Sequence, residues 1–148
     1  MLSVLQAPVT LVQRVPTADA DDVIELPFEA RQKARQRVVM TSGREAFIKL
    51  TRGRVLRGGD CLASADGFVV RVDAAIESLS EVSGDDAMLA RAAYHLGNRH
   101  VWVQIDRDAV RYQTDHVLDR MLTQLDFRIT HVEAPFEPEA GAYDGHSH

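Results

Sequence analysis

A chain of 148 residues with 45% hydrophobic and 26% charged side chains can bury a working core, as one domain or two small ones, without a disulfide or metal staple. Its single cysteine, Cys61, excludes an intrachain disulfide framework and a thiolate zinc cage. Charge is uneven: residues 1–72 hold 11 Lys and Arg against 8 Asp and Glu, residues 73–148 hold 6 against 14, and all 6 histidines lie from position 95 onwards. An acidic, imidazole-bearing half suits cations, and the net charge of −5 argues against nucleic acid as a partner.

The first half reads as short strands broken by turn residues. Val9, Leu11 and Val15 fall on odd positions, the alternation of a half-buried strand. Val23-Ile24-Glu25-Leu26 is a second run, stopped by Pro27. Arg31, Lys33, Arg35 and Arg37 follow at period two; extended, they would project from one face and suit an acidic protein partner. No aromatic residue interleaves them for base stacking. Arg37-Val38-Val39-Met40 and Ala46-Phe47-Ile48-Lys49-Leu50 predict a hairpin around Gly43, and Asp66-Gly67 predicts another between Cys61-Leu62-Ala63 and Phe68-Val69-Val70-Arg71-Val72. Nothing here sustains a 3.6-residue period, so a small all-β unit is expected.

The period changes near Gly84. Residues 70–79 predict a strand that passes into the second unit; Asp85 and Asp86 then open a helix with Met88, Leu89, Ala92 and Leu96 on one face, stopped at Gly97-Asn98. Val101, Val103 and Ile105 alternate, Asp106-Arg107-Asp108 turns, and Val110-Arg111-Tyr112 returns. Thr114 or Asp115 caps a second helix carrying Val117, Leu118, Met121, Leu122 and Leu125, and residues 127–132 form a last strand. Strand–helix–strand–strand–helix–strand is the split βαβ, ferredoxin-like order. The expected fold class is therefore α+β: a β domain over residues 1–74, a ferredoxin-like domain over 75–138, and a flexible tail over 139–148. No run of about 18 apolar residues predicts a membrane span, and the start lacks a secretion signal, so a cytoplasmic location is expected.

Histidine is the residue type with chemistry to offer. His100 follows the helix stop, in a surface connection where binding groups concentrate, and equally suits a helix C-terminal cap. His146 and His148 sit one residue apart near the end, a pair able to put two rings on nickel, copper, zinc or iron. His116 and Asp119 are neighbours on an outward helix face, which reads as a solvated face or a secondary metal site, while His95 and His131 read as structural. GxSxG and HExxH are absent and Cys61 has no nearby histidine, so no enzyme is expected.

The segments Gly97-Asn98-Arg99-His100, Asp115-His116-Val117-Leu118-Asp119 and Phe136-Glu137-Pro138-Glu139-Ala140-Gly141, with 31–37 and 52–60, together resemble the urease accessory protein UreE family of nickel metallochaperones. The resemblance implies a β domain similar to a co-chaperone peptide-binding domain, a ferredoxin-like metal-binding domain, and a homodimer. It implies that His100 is the principal ligand of Ni(II), with Zn(II) or Cu(II) also able to bind. It further implies delivery to the urease apoprotein alongside other accessory proteins, including a GTPase. Two departures stand out: only His146 and His148 replace the long histidine-rich tail of many relatives, and Gln113 and Thr114 stand where some carry further histidines. A protein-interaction adaptor with incidental metal binding is the alternative.

Overall fold

The computed structural model describes residues 6–141, which form two compact units, residues 6–74 and Ala75–Gly141. In the first, β1 (Val9–Val15), β2 (Asp22–Leu26), α1 (Phe28–Arg31), β3 (Arg35–Val39), β4 (Glu45–Lys49), β5 (Cys61–Ser64) and β6 (Val69–Ala74) follow in chain order. Their strands make one six-stranded sheet in the order β2-β6-β5-β1-β4-β3. β1 runs parallel to β4 and β2 parallel to β6; the other neighbours are antiparallel. The two predicted hairpins form, with Gly43 at φ +94° and Gly67 at φ +91°, conformations that an L side chain would strain.

Leu11, Ile24, Ile48, Leu62, Val70 and Val72 are sealed in the core of this unit, each contributing roughly 1.5–3 kcal/mol by burial. β1 departs from strict alternation. Its pairing with β5 slips between Leu11 and Gln13, and beyond this bulge Val15 is only half-buried. The basic row at 31–37 is also broken. Arg31 ends α1, not an extended run, and is 1% exposed. Its Nε donates to the Leu26 carbonyl at 3.0 Å and its Nη1 to the Leu56 carbonyl at 3.3 Å, with Cζ 5.5 Å from the Phe28 ring centre. A buried guanidinium is tolerable only when so bonded, so Arg31 ties three segments together instead of projecting from the surface. The unit is mostly β rather than all-β, because Pro27 supplies a helix-compatible start for this one turn.

Residues 70–79 are not one strand: β6 ends at Ala74, and β7 (Ile76–Ser83) begins a separate sheet. α2 (Asp86–Asn98), β8 (Gln104–Ile105), β9 (Ala109–Gln113), α3 (His116–Gln124) and β10 (Ile129–Pro135) complete the second unit. Its sheet runs β10-β7-β9-β8 with every pair antiparallel. α2 packs on β7 and β9, and α3 on β10 and α2, enclosing Val82, Ala92, Leu96, Val110, Leu122 and Phe127. Both helices are capped as carboxylates cap: Asp85 accepts the Met88 N–H, and Asp115 those of Val117 and Leu118. β8 is shorter than the alternation of Val101, Val103 and Ile105 suggested. After Pro135 the chain is not loose at once, because Phe136 is fully buried and the backbone N–H groups of Glu137 and Glu139 bond Gln104 Oε1 at 2.8 Å and the Val103 carbonyl at 2.7 Å. Among the described residues no helix is long and apolar enough to cross a membrane.

Candidate functional site

The end of α2 is built differently from the stop that Gly97-Asn98 suggested. The helix runs through both residues, Arg99 forms its cap, and the left-handed position falls on His100 at φ +56°. The His100 N–H bonds the Gly97 carbonyl and the Arg99 N–H that of Leu96, both at 3.0 Å, closing the last turn. A β-carbon in this region costs about 1 kcal/mol, although histidine tolerates it better than most residues. Glycine would serve the turn without that cost, so the backbone alone does not account for a histidine here.

The imidazole of His100 is exposed, and among the described residues no side chain holds it. It stands at the rim of a shallow groove of about 380 Å³ whose walls include Ala93, Gly97, Val101, Trp102, Val103 and Ile105. Trp102 is 38% and Ile105 49% exposed, large apolar surface for two positions so close together. Glu139 and Gly141 also line the groove, so the chain departs towards its terminal residues from beside His100. His146 and His148 lie outside the described residues.

The other histidines of this unit have different surroundings. His95 is half-buried, its ring meeting Phe127 edge-on at 6.2 Å and Tyr94 at 5.2 Å. His116 is exposed at the start of α3, and Asp119, one turn on, does not point to it. Asp119 accepts from the Tyr112 hydroxyl at 2.5 Å, the Ser80 hydroxyl at 2.7 Å and His131 Nε2 at 2.8 Å. A carboxylate can only accept here, so Nε2 of His131 carries the proton. Burial pushes the Asp119 carboxyl up, but the bonds from Tyr112, His131 and Ser80 together outweigh it and hold it below the ordinary aspartate range. Burial, then the adjoining Asp119, raises the Tyr112 phenol above its ordinary range. The expected His116–Asp119 pair is thus replaced by His131–Asp119, because β10 brings His131 across from Ser80. Among the described residues no group of three or more His, Cys, Asp or Glu side chains is gathered for a metal ion.

In the first unit, Lys33, Arg35 and Arg37 are exposed, with Arg35 and Arg37 on the edge strand β3. Arg37 bonds Glu45 at 2.5 Å and lies 5.7 Å from the Phe47 ring centre. Sequence reasoning overlooked a neighbouring concavity where Arg14, Lys33, Arg52 and Arg54 converge.

A family model described as the N-terminal domain of the UreE urease accessory protein matches residues 5–75, and one described as its C-terminal domain matches residues 77–148. The urease accessory protein UreE of Alkalilimnicola ehrlichii is 54% identical over 138 residues, covering 92% of this chain and 85% of its own. The protein of that name from Citrobacter koseri is 50% identical over 141 residues, 93% of each chain. That from Ralstonia nicotianae is 49% identical over 140 residues, 93% of this chain and 64% of its own.

Proposed function

The chain belongs to the UreE family of urease accessory proteins, and we propose that it binds Ni(II) as cargo and delivers it to the urease apoprotein as the urease metallocentre is assembled. The observation that carries this proposal is the exposed imidazole of His100, without a side-chain partner among the described residues and set on a left-handed backbone at the rim of an apolar groove. One imidazole holds an ion weakly. Two chains meeting about a two-fold axis beside this groove would present His100 and His100 of the partner subunit to one ion, with Trp102 and Ile105 supplying apolar interface.

His146 and His148 complete the shell on this proposal. The 5 residues from Gly141, which lines the groove, to His146 reach at most roughly 17 Å, so the tethered rings act at high local concentration. Nitrogen donors contributed one at a time also allow stepwise ligand exchange, which hand-over requires. Zn(II) and Cu(II) suit the same donors. Only neutral rings ligate, so binding of the ion competes with binding of protons. His116, without Asp119, is at most an accessory ligand.

We assign metal binding and dimerisation to residues 75–138, as a ferredoxin-like domain, and partner binding to residues 1–74, where Lys33, Arg35 and Arg37 remain available and Arg31 does not. On this proposal the protein is a cytoplasmic homodimer that works with other urease accessory proteins, among them a GTPase, and catalyses no reaction itself. Calorimetric nickel titration combined with sedimentation tests it: one tight Ni(II) per two chains is expected, and monomeric protein with unchanged affinity in His100→Ala overturns it. A protein-interaction adaptor is the second reading, favoured by the exposed arginines of edge strand β3. Arg35→Glu with Arg37→Glu separates the two, since an adaptor loses its partner while nickel uptake survives.

A further inference from the structure

We infer that the first unit carries a recognition site of its own, a cationic groove that takes a short acidic segment of a partner protein in extended form. Two concavities of about 260 Å³ each lie side by side and share Arg14 and Arg54 in their walls. The first adds Lys33 and Arg52 above Leu50 and Leu56; the second adds Val55 and Arg57. These cations come from distant parts of the chain: Arg14 from β1, Lys33 from just after α1, Arg52 and Arg54 from the connection between β4 and β5. Only the fold gathers them.

Arg14 is fixed in place, its Nη1 donating to Asp60 Oδ2 at 3.4 Å and its Nη2 to the Arg54 carbonyl. Asp60 is the one carboxylate in either wall, and it is already engaged by Arg14 and by the Arg57 backbone N–H at 2.8 Å. Among the described residues Lys33, Arg52 and Arg54 have no carboxylate partner. Guanidinium forks match carboxylates two bonds at a time. In an extended peptide alternate side chains face the same way, so acidic residues two apart would meet successive cations. No aromatic side chain lines either concavity, which denies a nucleobase its stacking surface and favours a peptide over RNA.

The test is fluorescence anisotropy at low salt with a labelled peptide alternating Asp and Ala, its Asn counterpart, and an oligouridylate. The Asp peptide binds the full chain and the Asn peptide does not. Arg52→Glu with Arg54→Glu weakens binding by about tenfold or more, Lys33→Ala weakens it less, and Arg128→Glu in the other unit leaves it unchanged. These positions are exposed, and matching circular dichroism spectra show that the variants fold. Equal binding of the Asp peptide by the wild type and Arg52→Glu/Arg54→Glu, equal binding of the Asp and Asn peptides, or tighter binding of the oligouridylate each overturns the inference.

Discussion

Two regions of the second unit display a histidine to solvent and hold it in opposite ways. His131 stands on β10 with its Nε2 locked to a carboxylate that is only 18% exposed and is anchored in turn by Tyr112 and Ser80. His100 stands just past α2 on a left-handed backbone, with no side chain against it among the described residues. The locked ring has one nitrogen committed to Asp119. The unlocked one, on a conformation that glycine would adopt more readily, is the ring that takes the ion on the proposed function. Both rings are exposed, so exposure does not distinguish the two; the side-chain contact to Asp119 does.

Three substitutions and one deletion would break or sharpen that contrast. His100→Ala should weaken nickel binding most, by more than about 100-fold, beyond what loss of an outer-shell partner does, measured by titration calorimetry. Asp119→Asn should next destabilise the fold by about 1–3 kcal/mol in urea unfolding, because it leaves a donor facing a donor, without touching nickel affinity. Its pH dependence has a definite sign. The Asp119 carboxyl is depressed below its ordinary value of 3.8, so its contribution is complete above that pH and is lost as pH falls through the lower folded value. The stability gap between wild type and Asp119→Asn should therefore close in strong acid, as pH falls below the ordinary aspartate value. Deleting residues 144–148 should weaken nickel by about tenfold without abolishing it, as loss of a tethered auxiliary does. His131→Ala should do least, about 0.5 kcal/mol of stability for an exposed pair and no change in nickel.

Local signals carried much of this into the sequence. Gly43 and Gly67 mark the hairpins they make, Asp85 and Asp115 cap the helices they precede, and the change of period near Gly84 marks a change of architecture. What stayed hidden depends on contacts between distant residues. The bulge after Leu11 comes from pairing with β5, and Arg31 is buried because Leu26 and Leu56 offer carbonyls to it. Asp119 turns from His116 to His131 because the sheet places His131 beside it, 12 residues along the chain. Arg14 meets the Arg54 carbonyl across 40 residues, a convergence no spacing rule detects. The candidate ligand His100 was legible through its motif, whereas its left-handed backbone was not, since Gly97 was the more natural place for it.

The most direct measurement is a paired one on His100→Gly, nickel titration beside urea unfolding of the apoprotein. Glycine relieves the left-handed position, so the variant should gain up to about 1 kcal/mol of stability while losing the tight Ni(II) shared between two chains. A variant that keeps wild-type nickel affinity would contradict the assignment of His100 as the anchoring ligand.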